Sequence, residues 1–122
     1  MKVNPYLSFN GNCAEAVAVY EKAFGVKAVV EMCKEVKNAV VHAEFEIDGN
    51  VIMLFDFEGV TVGDNVMITI LFDKTEKAKA EKAFDVLAKG GEVIMPLGKT
   101  EWSEYFGLLT DKFGVKWNMC QN

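Results

Sequence analysis

The stretch Thr100–Asn122, TEWSEYFGLLTDKFGVKWNMCQN, decides the fold of this chain. Leu108–Thr110 and Val115–Met119 have the apolar and β-branched composition that is typical of strands. Asp111–Gly114 lies between them and has the composition of a hairpin turn. The stretch therefore predicts a C-terminal β-hairpin whose second strand carries Asn118.

The N-terminal half contains a hairpin of the same kind, preceded by further elements. Val3–Phe9 is strand-like, and the apolar spacing that follows it predicts a helix that ends at Gly25. Val26–Met32, Val40–Ile47 and Val51–Phe55 are predicted strands. The first half therefore has the order βαβββ.

The second half repeats that order. Val66–Phe72 is a strongly apolar strand, a helix begins after Asp73, and it runs to about Lys89. Glu92–Met95 is a short strand before the C-terminal hairpin. The order βαβββ therefore occurs twice in 122 residues.

This repeat predicts an α+β fold. We expect two βαβββ modules, about 1–58 and about 65–122, within one domain that covers 1–122. Their strands are expected to form an open, curved mixed sheet, a half-barrel, with the helices on its outer face.

Two local patterns predict the cap of the first helix and the faces of one strand. Asn12 followed by Glu15 predicts a capping box at the first helix. The strand Val40–Ile47 alternates between apolar and polar residues, so its side chains are predicted to divide between two faces. The apolar face would hold Val41, Ala43, Phe45 and Ile47, and the polar face His42, Glu44 and Glu46.

Composition excludes several classes of function. Thirteen basic against eighteen acidic residues give a net charge of −5, which disfavours a nucleic-acid partner. No apolar run approaches the roughly 20 residues that cross a bilayer, and no signal peptide is evident. We therefore expect a cytoplasmic protein without membrane contact. The three cysteines, Cys13, Cys33 and Cys120, are predicted to be reduced thiols, and Cys13 is not expected to act as a nucleophile.

The chain resembles the vicinal-oxygen-chelate superfamily of glyoxalases, bleomycin-resistance proteins and dioxygenases. Within it, the chain is similar to the PhnB-like branch, often labelled demethylubiquinone methyltransferase-like. The resemblance rests on Pro5–Ala16, Tyr20, Phe24, Gly25, His42–Phe45, Thr100, Trp102, Phe106, Gly107 and Asp111–Trp117. No glycine-rich loop supports the methyltransferase label.

In metal-dependent relatives, the resemblance implies ligands from the first and fourth strands of both modules. By strand order, those positions fall near Pro5 or Tyr6 and at Met53, Met67 and Asn118. None of them is a histidine or a carboxylate, the ligands that a hard divalent ion prefers. We therefore expect neither the usual metal nor any other cofactor.

His42 and Glu44 are the candidate catalytic residues. His42 is the only histidine, and its alternation places it on one strand face with Glu44. The functional interpretation is a proton-transfer pair inside the first half-barrel. The alternative is an ordinary polar strand face.

The candidate ligand-binding residues are mostly apolar. Trp102 precedes the last hairpin, where it would form the aromatic wall of a lid, and Asn118 would hydrogen-bond a ligand. The strand residues of this set describe either a pocket for a small organic molecule or a plain core. They are Met53, Phe55, Met67 and Thr69.

Three functions are consistent with these residues. The first is a protein that binds a small, largely apolar organic molecule in the cleft without the usual divalent metal. The second is a lyase or isomerase of glyoxalase type that uses His42 and Glu44, with a metal bound in an unforeseen way. The third is a dimeric structural module with a filled cleft. Exposed strand edges and the habits of the fold predict a homodimer.

Overall fold

The computed structural model describes all residues, 1–122, and divides them into two compact units. The N-terminal module is Met1–Thr61 and the C-terminal module is Val62–Asn122. Each has the order βαβββ. The predicted α+β fold of two such modules is confirmed.

The N-terminal module contains four strands and one helix. Its elements are β1 (Tyr6–Phe9), α1 (Cys13–Phe24), β2 (Val29–Met32), β3 (Val40–Ile47) and β4 (Asn50–Asp56). The sheet order is β1-β4-β3-β2, with β1 parallel to β4 and the other pairs antiparallel.

The C-terminal module repeats this topology. Its elements are β5 (Met67–Phe72), a 3-10 turn at Lys74–Glu76, α2 (Lys77–Ala88), β6 (Glu92–Gly98), β7 (Phe106–Thr110) and β8 (Lys116–Gln121). The sheet order is β5-β8-β7-β6, with β5 parallel to β8. Both sheets are open and mixed, and neither closes into a barrel.

Each helix covers one face of its own sheet. In the N-terminal module, α1 packs against β3 and β4 and buries Tyr20 with Phe45 and Leu54. A fully buried side chain of this size contributes roughly 1.5–3 kcal/mol. In the C-terminal module, α2 packs so closely that a Cβ at Gly107 would lie 2.8 Å from Phe84 Cε2. A larger residue at that point of β7 would force the side chains of Phe84 and Leu97 to move.

The first helix is capped differently from the prediction. Asn12 occupies the N-cap position, but its side chain makes no capping hydrogen bond. Asp56, at the end of β4, accepts a hydrogen bond from Cys13 N at 3.0 Å and another from Val40 N at 2.8 Å. The predicted capping box at Asn12 is wrong because a carboxylate distant in sequence satisfies the helix terminus.

A capping box does occur in the C-terminal module. Asp73 accepts a hydrogen bond from Thr75 N at 2.8 Å, and Glu76 accepts one from Asp73 N at 3.2 Å. The Thr75 hydroxyl also donates to Asp73. These hydrogen bonds begin the turn that leads into α2.

Two strands differ from their predicted form. In β3, Val40 is buried and Val41 is 48% exposed, because a bulge in the β2–β3 pairing moves Val41 off the apolar face. The strand β6 continues through Pro96 instead of ending at Met95. Proline is tolerated there because β6 is an edge strand with irregular pairing.

The buried carboxylate of Asp111 organises the C-terminal hairpin. Its Oδ1 accepts hydrogen bonds from Phe113 N and Val115 N at 2.9 and 3.0 Å. Its Oδ2 accepts one from Trp117 Nε1 at 2.9 Å. Gly114 adopts a φ of +90° in the turn, as the hairpin requires. The turn is therefore tied to the largest buried side chain of the module.

No helix is both long enough and apolar enough to cross a membrane.

We predict that Asp111→Ala lowers the free energy of unfolding by roughly 3 kcal/mol, because two amides and the indole N–H lose a charged acceptor. Urea unfolding followed by circular dichroism measures this change. The matched control Asp64→Ala, in an exposed loop, should change stability by less than about 0.5 kcal/mol. An equally small effect of Asp111→Ala would contradict the assigned role.

The cap at Asp73 predicts a pH dependence. Hydrogen bonds from the Thr75 side chain and backbone lower the pKa of Asp73 from its ordinary value of 3.8. The carboxylate therefore stabilises the fold above that value, and the contribution is lost as pH falls through the folded-state pKa. Asp73→Asn should be less stable than the wild type near neutral pH and should converge with it in acid. Thermal unfolding across pH measures both, and a difference that persists in acid would refute the assignment.

Candidate functional site

The N-terminal sheet has one face without a helix, which we call the N-terminal open face. Ile52 and Leu54 point toward α1, so Met53 and Phe55 point the opposite way. The registers place Tyr6 and Glu44 on either side of Met53. The face includes Tyr6, Ser8, Val29, Glu31, His42, Glu44, Glu46, Val51, Met53 and Phe55.

Three polar side chains on this face form a hydrogen-bonded row. The Tyr6 hydroxyl lies 2.8 Å from His42 Nδ1, and His42 Nε2 lies 3.1 Å from Glu44 Oε2. Because a carboxylate only accepts, the Nε2–H of the imidazole donates to Glu44. In the neutral imidazole, Nδ1 is then the acceptor for the Tyr6 hydroxyl.

Aromatic rings continue from this row along the sheet. The Tyr6 ring meets His42 edge-on with centroids 5.5 Å apart, and its centroid is 4.7 Å from that of Phe55. Phe57 follows at 5.8 Å from Phe55. The polar row therefore borders an aromatic surface that can contact an apolar molecule.

The charge of this face is negative. Glu31 lies directly opposite His42, and Glu44 and Glu46 follow on the same strand as His42. None of the four strands of this sheet contains a Lys or Arg. His42 is consequently the only side chain of the sheet that can carry positive charge.

The structure brings the predicted pair together and adds a third residue. His42 and Glu44 are in contact, while their catalytic role stays a prediction. Tyr6 was not predicted as their partner, because it is 36 residues from His42 and meets it only through the order β1-β4-β3. The alternation of Tyr6 and Ser8 with Leu7 and Phe9 was the available signal.

The C-terminal sheet also has a face opposite its helix, the C-terminal open face. Thr69 and Leu108 flank Asn118 in the registers of β5 and β7 with β8. Met67 and Leu71 are exposed on the same face. The predicted ligand residues Met67, Thr69 and Asn118 therefore share this face, whereas Met53 and Phe55 belong to the N-terminal open face.

Asn118 is held firmly despite its position on the open face. It is only 6% exposed. Its Nδ2 donates to Gly107 O at 2.9 Å and to Met119 O at 3.3 Å. The donor side of this amide is thus engaged by the backbone, and hydrogen bonding of Asn118 to a ligand stays a prediction.

Trp102 lies in the loop before β7. The residue is 63% exposed, and its ring meets that of Phe106 edge-on with centroids 5.3 Å apart. Ser103 anchors the loop, because its hydroxyl donates to Gln121 O at 3.2 Å and its amide binds Thr100 Oγ1 at 3.1 Å. The loop is thus anchored at Ser103 and leaves the indole of Trp102 exposed. The role of Trp102 in a lid stays a prediction.

The repeat allows the two open faces to be compared position by position. Phe57 N donates to Phe9 O, and Asn122 N donates to Phe72 O, at 2.8 and 2.9 Å. These matching contacts align β4 with β8 and make Met53 equivalent to Asn118. The registers then align the polar row Tyr6, His42 and Glu44 with Thr69, Phe106 and Leu108. The two faces therefore have the same backbone arrangement but different side chains.

The surroundings of Cys13 disfavour a role as a nucleophile. It is fully buried at the start of α1. Burial, together with the adjacent Asp56 carboxylate, raises the pKa of its thiol to about 12. The thiolate that a nucleophile requires is therefore strongly disfavoured.

The side chains do not fit a divalent metal centre. No group of three or more His, Cys, Asp or Glu residues lies close enough together to bind a metal ion. The positions implied by metal-dependent relatives hold a phenol, two thioethers and an amide, in Tyr6, Met53, Met67 and Asn118. Thioethers are poor ligands for hard cations.

Comparisons with known proteins agree with this architecture. Protein YjdN of Escherichia coli (strain K12) is 32% identical, over 96% of this chain and 92% of its own length. The crystal structure of protein PA1353 from Pseudomonas aeruginosa is 33% identical with a TM-score of 0.87, covering 100% of this chain and 98% of that one. The PhnB protein from Bacillus cereus is 27% identical with a TM-score of 0.85 and full coverage of both chains. The sequence profile of the glyoxalase/bleomycin resistance protein/dioxygenase superfamily matches residues 2–119, and the chain belongs to this family.

Proposed function

We propose that the protein binds a small, largely apolar organic molecule on the open faces of its sheets without the divalent metal of other family members. One observation carries the proposal. The row Tyr6, His42 and Glu44 lies beside Met53 and Phe55 on a sheet face that no helix of its module covers. Apolar surface around a few convergent polar groups is typical of small-molecule sites.

The geometry of the row favours particular ligand groups. In the neutral imidazole state, the Tyr6 hydroxyl donates its proton to His42 Nδ1. Its remaining lone pair then accepts from an O–H or N–H of the ligand. Tyr6 is 47% exposed, so a ligand has access to it. The aromatic rings beside it would contact the apolar body of the ligand.

Charge restricts the ligand further. Glu31, Glu44 and Glu46 share the face with a single imidazole. Carboxylates at short distance repel an anion and attract a cation, and they do not repel a neutral molecule. We therefore propose a neutral or cationic ligand with a hydrogen-bond donor.

The second candidate function is a lyase or isomerase of glyoxalase type. It is supported by the unbroken connection from the Tyr6 hydroxyl through His42 to Glu44. Tyr6 would exchange a proton with the substrate, His42 Nδ1 would receive or return it, and Glu44 would stabilise the imidazolium. Such an enzyme would lose turnover in His42→Ala, whereas a binding protein would lose only affinity.

Two further properties are proposed from the sequence. Exposed strand edges, such as β2 with Val29, Val30 and Met32, favour a homodimer. The composition favours a cytoplasmic location. The oligomeric state is measured by light scattering during size-exclusion chromatography.

Benzyl alcohol is a suitable probe because it combines an apolar ring with one O–H donor. We predict saturable NMR shifts of the backbone amides of Tyr6, His42 and Phe55 on titration. Tyr6→Phe should weaken this binding about fivefold, the equivalent of one hydrogen bond. The matched control Tyr105→Phe removes a hydroxyl that binds Glu81 in the other module, and it should leave the affinity unchanged.

Benzoate provides a second control, since it has the same ring with an anionic group and should bind more weakly than benzyl alcohol. The proposal fails if benzyl alcohol shifts none of these three residues. It also fails if Tyr6→Phe and Tyr105→Phe bind the probe equally well.

A further inference from the structure

The orientation of the Asn118 amide is determined by its surroundings. Its Nδ2 faces two backbone carbonyl oxygens, those of Gly107 and Met119. The flipped amide would place Oδ1 against both oxygens and lose both hydrogen bonds. Nδ2 is therefore the inner atom and Oδ1 the outer one.

The Oδ1 of Asn118 has no hydrogen-bond partner within the chain. Every fully buried side-chain nitrogen or oxygen of the chain has a hydrogen-bond partner. Because Oδ1 of Asn118 has none, this atom keeps some contact with solvent. Asn118 as a whole is only 6% exposed. An acceptor presented by an otherwise buried, immobilised side chain is pre-organised for a single hydrogen bond.

The surface around this oxygen is mainly apolar. Thr69 and Leu108 flank Asn118, and Phe106 lies two residues before Leu108 on the same face. Trp102 packs edge-on against Phe106. The positions equivalent to His42 and Glu44 are Phe106 and Leu108, so the strand neighbours of Asn118 are uncharged. The charged residues of this face, Lys116 and Glu92, both lie beside Thr110, one same-face position further along the sheet.

We propose that the C-terminal open face binds a small apolar molecule through one O–H or N–H donor, which Asn118 Oδ1 accepts. Phe106 and Trp102 contact the apolar body of the ligand, and Thr69 borders its polar group. The site selects against ligands whose only polar group is a carbonyl or ether oxygen, because Oδ1 has no proton to donate. This inference rests on the proposed function and specifies the ligand group at a second face.

The first test uses the wild-type protein. Benzyl alcohol should shift the side-chain carboxamide signals of Asn118 in an NMR titration and bind about fivefold more tightly at this face than benzyl methyl ether. The ether has the same ring and oxygen but no donor. Equal affinity of the two probes at Asn118 would overturn the proposal.

Two variants test whether the preference for the alcohol depends on Asn118. In Asn118→Leu, the preference for the alcohol over the ether should disappear at this face, while the ether still binds. Asn65→Leu makes the same substitution in the exposed loop before β5 and should retain the preference, so an equal loss of the preference in both variants would refute the proposal. The wild-type titration decides the matter if Asn118→Leu fails to fold.

The same titration distinguishes the two proposals. Shifts at Tyr6 and Phe55 without any at Asn118 would overturn this inference and leave the proposed function intact. Shifts at neither face would overturn both.

Discussion

Each module depends on a parallel pairing between its first strand and its last. Tyr6 lies beside Met53 in one module, and Thr69 lies beside Asn118 in the other. Side chains alternate along a strand, so a slip of one residue would transfer each open-face residue to the helix side. The hydrogen-bonded row of Tyr6, His42 and Glu44 and the position of Asn118 both follow from these two registers.

The sequence predicted the elements better than their contacts. Alternation and hairpin turns are local signals, and they located the strands, the helices and the pair His42 and Glu44. Long-range contacts leave no such pattern. Tyr6 reaches His42 only because β4 places β1 beside β3, and the cap of α1 comes from Asp56 rather than the neighbouring Asn12. The bulge at Val41 likewise arises from strand pairing.

The two modules show how one topology supports different chemistry. Their backbones match at Phe9 and Phe72, yet the imidazole and carboxylate of His42 and Glu44 in one module are replaced by Phe106 and Leu108 in the other, beside the amide of Asn118. Family membership accounts for the shared framework. In the function that we propose, the side chains of the open faces bind the ligand, and they offer hydrogen-bond acceptors rather than a set of metal ligands.

The central claim is that the protein's own side chains bind the ligand without a metal. Metal analysis of protein purified without chelator, combined with benzyl alcohol binding before and after chelation, tests it most directly. We predict far less than one zinc, nickel, manganese or iron ion per chain and an unchanged affinity for benzyl alcohol after chelation. A stoichiometric metal whose removal abolishes binding would contradict it.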